Sequence, residues 1–303
     1  MKKLFLSLGV LLLALIAILL INTLRLTSKQ VPAEPVEKMA VSDQVFQNLS
    51  KAIQFKTISF NEEAVPDSAE FLGFHRFLEA TFPLVHSQLT LEKINSYSLL
   101  YKWQGTDPSL KPVILMSHQD VVPVDEPTLQ QWEAGPFEGK ITDTHIIGRG
   151  TLDDKGTLMG VLEAVEKLLS ENYVPTRTIY IASGHDEEVG GPNGAGMIAE
   201  HLKKQGVQAA MTLDEGGYFA EGLVPGLSGP VAMINLGEKG FASFRLIVRT
   251  NGGHSSAPPK ENTIGILAKA IVDLENNQLP YKLVPPIDAQ LEYLGPELPF
   301  LPR

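Results

Sequence analysis

Eighteen consecutive residues, Leu4 to Ile21, carry no charge, and only Ser7 interrupts them with a polar side chain. A helix over this run rises ~1.5 Å per residue and reaches roughly 27 Å, enough for a thin bilayer core. The pattern then stops. Residues Ser28 to Asp43 hold Pro32, Pro35 and mixed charge without a hydrophobic period, as a linker does. Apolar positions return at helical spacing in Val45–Phe55 and Ala69–Phe82. The runs Val113–Met116 and Thr178–Ala182, short and rich in β-branched residues, read as buried strands. Lys155–Ser170 places Leu158, Met159, Leu162, Val165, Leu168 and Leu169 on one face and predicts a helix. Asn193–Gln205 predicts another, closed by Gly206, and Ala209–Leu213 a short strand.

Strands alternating with helices imply an α/β domain: a mixed, largely parallel sheet covered by helices on both faces. Near Gly237 the style changes. Phe241–Thr250 alternates, with Phe244, Leu246 and Val248 on one face; a turn through Asn251–Pro259 follows, then an amphipathic helix over Ile264–Leu274. This reads as the opening of a smaller α+β domain. After Pro280 the sequence fades into Pro285, Pro286, Pro296, Pro299 and Pro302 with no further element expected. The expected organisation is a membrane anchor or signal over 1–27, a linker over 28–43, a catalytic domain over 44–236 and the start of a smaller domain over 237–303.

Composition narrows the partners. A formal charge of -10 argues against a phosphate-backbone ligand, since nucleic-acid binders carry a basic footprint. The chain contains no cysteine, so disulfides, a thiol nucleophile and thiolate metal ligands are excluded. Any metal must be held by His, Asp and Glu. The N-terminal run is longer than a signal-peptide core and no small-x-small cleavage site follows it, which favours an uncleaved anchor with the bulk outside the cytoplasm or in a lumen; secretion after cleavage is the alternative. Lys2 and Lys3 before the run and Arg25 and Lys29 after it give only a weak positive-inside bias.

The chemistry-bearing residues gather at strand ends and tight turns. Ser117-His118-Gln119-Asp120 follows one apolar run, Gly184-His185-Asp186-Glu187-Glu188 another, and Asp214-Glu215-Gly216-Gly217 a third. Gly148-Arg149-Gly150 opens Thr151-Leu152-Asp153-Asp154-Lys155-Gly156. Imidazole and carboxylate groups brought to one rim of a sheet suit a catalytic zinc, and a carboxylate can bridge two such ions. His75, His145, His185 and His201 lack a ligand pattern and are read as core or surface histidines. Gly253-His254-Ser255-Ser256-Ala257 approximates a nucleophile elbow, but Pro258 and Pro259 oppose the helix that an elbow needs.

Five segments in this order, His118-Gln-Asp120, Gly148 to Gly156, Gly184 to Glu188, Leu213 to Gly217 and Gly253 to Pro258, resemble the co-catalytic di-zinc hydrolases. Within that family the resemblance is greatest to carboxypeptidase S and the secreted N-fatty-acyl-amino-acid hydrolases, with glutamate carboxypeptidase and aminoacylase as relatives. It implies the di-zinc exopeptidase fold with a smaller inserted lid and dimerisation domain, and hydrolysis of an amide or peptide bond beside a free amino-acid carboxylate. The implied substrate is an N-acyl amino acid or a short peptide. The resemblance further implies that His118 and Asp214 bind one zinc, Asp153 bridges, and Glu188 binds the other. Glu187 is then the general base, Asp120 orients the His118 imidazole, and His254 stabilises the oxyanion, in this family often across a homodimer.

The same resemblance calls for one more histidine on the second zinc, from a segment beyond the small domain, and none follows His254. A domain of about 100 residues opening near Gly237 would not close by Arg303, so a C-terminally incomplete chain is expected. The alternative function is an inactive, membrane-anchored binding module derived from such an enzyme.

Overall fold

The computed structural model describes residues 2–32, 34, 36–37, 39–61, 63–238, 240, 242–254 and 256–300. It forms two compact units, Val36–Glu215 and the remainder, Met1–Pro35 with Gly216–Arg303.

The unit Val36–Glu215 is built on a five-stranded sheet. Its elements in order are α2 (Asp43–Ile53), α3 (Ser68–Thr81), α4 (Pro83–Gln88), β1 (Thr90–Ile94), β2 (Ser98–Trp103), β3 (Val113–His118), the ribbon β4 (Lys140–Ile141) and β5 (Ile146–Ile147), α5 (Lys155–Ser170), β6 (Ile179–Gly184), α6 (Ala195–Lys204) and β7 (Met211–Leu213), numbered after an N-terminal helix α1 (Lys2–Arg25) of the other unit. The strand order is β1-β2-β6-β3-β7. β3 runs parallel to both β6 and β7, while β2 is antiparallel to its neighbours β1 and β6, so four of the five strands point one way. The mixed, largely parallel sheet expected of the sequence is present.

Helices cover both faces because the sheet strands are apolar on both. Leu99, Tyr101, Trp103 and Ile181 pack with Ala52, Phe74, Leu78, Leu158 and Leu162 from α2, α3 and α5. On the opposite face Leu100, Tyr180 and Ala182 pack with Ile198 and Leu202 of α6. The capping chemistry is local: the Asp67 carboxylate accepts the Ala69 N–H at 2.9 Å and starts α3. Between β1 and β2, the three-residue turn Asn95–Tyr97 holds Asn95 and Ser96 in the left-handed region, at φ of 47° and 72°. The β1–β2 hairpin and α4 are additions to the elements read from periodicity.

The other unit contains α1, a hairpin of β8 (Tyr218–Ala220) and β9 (Val231–Met233), α7 (Thr263–Asn276) and α8 (Pro285–Leu294). Within α1, Phe5–Arg25 is long and apolar enough to cross a membrane, with a mean hydropathy of 2.8. Lys29 pairs with Glu292, and the Gln30 amide donates to the Tyr293 carbonyl at 2.9 Å.

Two expectations fail here. Residues 242–250 form no strand, and Phe241 lies outside the described residues. No described strand pairs with that segment, and an alternating sequence with no partner has nothing to cover its apolar face; Phe244 is 87% exposed. Conversely, the proline-rich end is helical over Pro285–Leu294. Pro285 and Pro286 occupy the first turn, where a missing N–H costs no helical hydrogen bond.

Candidate metal centre

Strand direction places the site. β3, β6 and β7 lie side by side and parallel, so the residues that follow their carboxyl ends emerge at one rim. His118 ends β3, opposite Gly184 at the end of β6, and the Gln119 N–H donates to the Gly184 carbonyl at 2.9 Å. Glu187 and Glu188 follow in a short 3-10 turn closed by Gly190 at φ 96°. Asp153 arrives from the turn that opens α5; its peptide bond to Asp154 is cis. Gly150 in that turn has φ 89°, and a Cβ there would stand 2.8 Å from Val121 Cγ1, so the position requires glycine.

His118 is the hub. Its ring is buried, with Nδ1 3.0 Å from the Asp120 carbonyl and 3.4 Å from Asp120 Oδ1. Nε2 is thereby the nitrogen presented to the rim. Asp153 Oδ1 lies 2.8 Å from it, Glu215 Oε1 3.5 Å and Glu187 Oε2 3.8 Å. Two ligand-sized groups result, His118 with Asp153 and Glu188, and His118 with Glu187 and Glu215.

Asp120 has no exposed surface and holds more than the imidazole. Oδ1 accepts the Glu187 N–H and Oδ2 the Glu188 N–H, each at 3.1 Å. One carboxylate therefore fixes both the ring and the turn that carries the two glutamates. The Asp154 carboxylate is turned the other way, accepting the His118 backbone N–H at 3.2 Å.

The electrostatics are those of crowded carboxylates around one imidazole. Burial by itself lowers the His118 pKa, but the hydrogen bond and charge of Asp120, with Asp154 and Glu215, raise it to about 10. Burial and the Asp153 charge push Glu188 up to about 7. Burial, with the charges of Asp154, Asp153 and Glu187 outweighing the pull of His118, brings Glu215 to about 7 as well. Glu187 is raised too, by burial first and then by Asp120, Asp153 and Asp214, against His118. A cation among these groups reverses the carboxylate shifts, because it supplies the positive charge they lack. One imidazole nitrogen with several carboxylate oxygens, and no thiolate, is a donor set that zinc accepts.

Of the residues expected from the sequence, His118, Asp120, Asp153, Glu187 and Glu188 come together. Asp214 is exposed and joins neither ligand group; the neighbouring Glu215 does. The resemblance named Asp214 of the Leu213-Asp-Glu run, and in the structure it is Glu215 that stands near His118. His254 lies in the other unit on exposed, irregular backbone. His75 is a buried histidine, its Nε2 2.8 Å from Gln119 Oε1, and His185 Nδ1 is 2.6 Å from Ser98 Oγ.

Residues 114–293 match the family described as peptidase family M20/M25/M40. A probable carboxypeptidase S-like 2 of Dictyostelium discoideum is 46% identical over 88% of this chain and 53% of its own length. An N-fatty-acyl-amino acid synthase/hydrolase, PM20D1, of Bos taurus is 40% identical over 97% of this chain and 59% of its own. Among solved structures, an M20 metallo-carboxypeptidase from Sulfolobus solfataricus overlaps 58% of this chain and 38% of its own, with 24% identity and a TM-score of 0.45. The chain spans about half the length of the curated relatives it matches. With more than half of its residues inside the matched region, the chain belongs to peptidase family M20/M25/M40.

Proposed function

We propose that this chain carries residues of a zinc hydrolase site that cleaves an amide or peptide bond next to a free amino-acid carboxylate. The observation that carries the reading is the convergence of Asp153, Glu187 and Glu215 on one buried imidazole, with Glu188 completing a second ligand group. The named activities of the relatives, carboxypeptidase and N-fatty-acyl-amino acid hydrolase, support N-acyl amino acids or short peptides as the substrate class.

His118, Asp153 and Glu188 hold the metal in this reading, with two zinc ions as the full complement. For the position expected of Asp214 we take Glu215, because its Oε1 is the one within 3.5 Å of His118 Nε2. The ions would lower the pKa of a water and polarise the scissile carbonyl. Glu187 would take a proton from the attacking water as its oxygen bonds to the carbonyl carbon, and would pass that proton to the amide nitrogen as the C–N bond breaks. Its carboxylate suits this work, since burial and neighbouring charge already raise its proton affinity. Asp120 keeps Glu187 aimed through the backbone bond and keeps His118 in one tautomer. His254 is retained as the oxyanion stabiliser on the resemblance alone, and residues 237–303 as part of the lid. The 5–25 helix is proposed to tether the chain to a membrane, with the rest outside the cytoplasm.

Zinc per chain, measured by elemental analysis, tests the site, and H118A must lose metal. Glu187→Gln separates base from ligand: it is expected to keep zinc and to lower turnover of an N-acyl amino acid about 100-fold or more. Undiminished turnover in E187Q overturns the mechanism. The pair D214N and E215Q decides the remaining ligand, the true one being the substitution that weakens zinc.

A further inference from the structure

We propose that Lys155 is a positioning residue for the metal group: its buried ammonium, seated on the end of α2, fixes the turn that presents Asp153. The inference rests on the reading of Asp153 as a ligand.

Lys155 is the first residue of α5 and has no exposed surface. A lysine is almost never fully buried unless its charge is paired, yet among the described residues no carboxylate stands within ion-pair distance of it. Its Nζ instead donates to two backbone carbonyls, Phe55 at 2.6 Å and Ala52 at 3.2 Å, and lies 5.1 Å from the centroid of the Phe74 ring. Ala52 belongs to the last turn of α2 and Phe55 follows it, so the ammonium sits at the negative end of that helix dipole.

Filling this space does not require a charge, because an apolar side chain of the same length would do so without desolvating an ammonium. What the ammonium adds is direction at one place. Lys155 is two residues beyond Asp153, in a turn that is already tight. The Gly156 N–H donates to the Gly150 carbonyl at 3.3 Å, and a Cβ on Gly156 would lie 2.2 Å from the Thr151 carbonyl oxygen. A Cβ at Gly150 would lie 3.5 Å from Lys155 Cδ, so the lysine stem backs the turn from inside. The turn is held between that stem and the rim, where Asp153 Oδ1 meets His118 Nε2 at 2.8 Å.

A second tie joins the same two helices away from the turn: the Asn48 amide donates to Glu163 Oε1 at 2.6 Å. This bond is the control. The zinc dissociation constant of the full chain, read by chelator competition with zinc as the only ligand, is compared in wild type, K155M and N48A, with circular dichroism confirming the fold. K155M is expected to bind zinc about tenfold or more weakly, as loss of an outer support does, while N48A stays within about twofold although it too lowers the melting temperature. Should K155M not fold, K155Q, which keeps one neutral donor on a shorter stem, must show the same ranking. Zinc affinity in K155M equal to wild type, or an equal loss in N48A, overturns the positioning role and leaves the metal centre standing. A wild-type chain that binds no zinc overturns the metal centre and this role together.

Discussion

The two units of the chain are similarly supplied with apolar residues and treat them in opposite ways. Within Val36–Glu215, apolar side chains from five helices and a sheet close over one another, and Phe71, Phe74, Leu158 and Leu162 have no exposed surface. Among the described residues of the other unit only Ala220 and Pro296 are buried, while Phe219, Phe244 and Ile264 are each more than three-quarters exposed. Periodicity produces a helix such as α7 in either setting, but burial needs a partner surface. Stability and the site therefore both reside in the unit whose patterned faces meet.

Core truncation gives the sharpest break in this contrast. Leu158→Ala removes a fully buried side chain between α5 and the sheet and is expected to cost about 3.5 kcal/mol in urea unfolding. Ile264→Ala, on a helix with no buried residue, is expected to change stability by less than about 0.5 kcal/mol. Equal costs at the two positions would erase the distinction between the units.

The same contrast explains how much the sequence disclosed. α5 was legible to the residue because Leu158, Met159, Leu162, Val165 and Leu169 repeat at helical spacing and all face a core. β2 was not, since Leu99 packs on one face of the sheet and Leu100 on the other, so Ser-Leu-Leu-Tyr-Lys-Trp shows no alternation. Residues 242–250 alternate clearly and still form no strand, because alternation states a preference that only pairing fulfils. In the site, His118, Asp153, Glu187 and Glu188 were legible from motif order. That Glu215 rather than Asp214 stands near His118 was not legible, since it depends on how the chain turns after β7. The hold of Asp120 on two backbone N–H groups was equally hidden, because backbone donors leave no mark in a sequence.

Asp120 joins the stable unit to its chemistry, and removing it is the next largest test. Asp120→Ala leaves the Glu187 and Glu188 N–H groups and His118 Nδ1 without their carboxylate acceptor. The expected cost is about 2.5 kcal/mol by thermal unfolding, together with weaker zinc binding, since the turn is released and the ring keeps only its bond to the backbone carbonyl of residue 120. Lost stability with unchanged zinc affinity would show that this carboxylate serves the fold alone.

The smallest effect is a pH dependence confined to the well-packed unit. His75 is buried beside Gln119, and burial, opposed by that hydrogen bond, lowers its pKa below the ordinary value of 6.5. Between 6.5 and the lowered folded value the unfolded chain binds a proton that the native chain refuses. The His75 contribution is therefore complete above about pH 6.5 and is lost as pH falls through the window, with a slope of at most about 1.4 kcal/mol per pH unit. Glu188 and Glu215, whose folded values are raised to about 7, act in the opposite sense in metal-free protein: they favour the native state as pH falls through that range. The His75 share is thus read as a difference. His75→Gln keeps a donor for Gln119 and cannot titrate, so subtracting its stability profile from that of the wild type leaves the histidine term. That difference should decline below pH 6.5 and level off at lower pH, and a flat difference would mean that His75 takes up its proton equally in the folded and unfolded chain, so that burial does not lower its pKa.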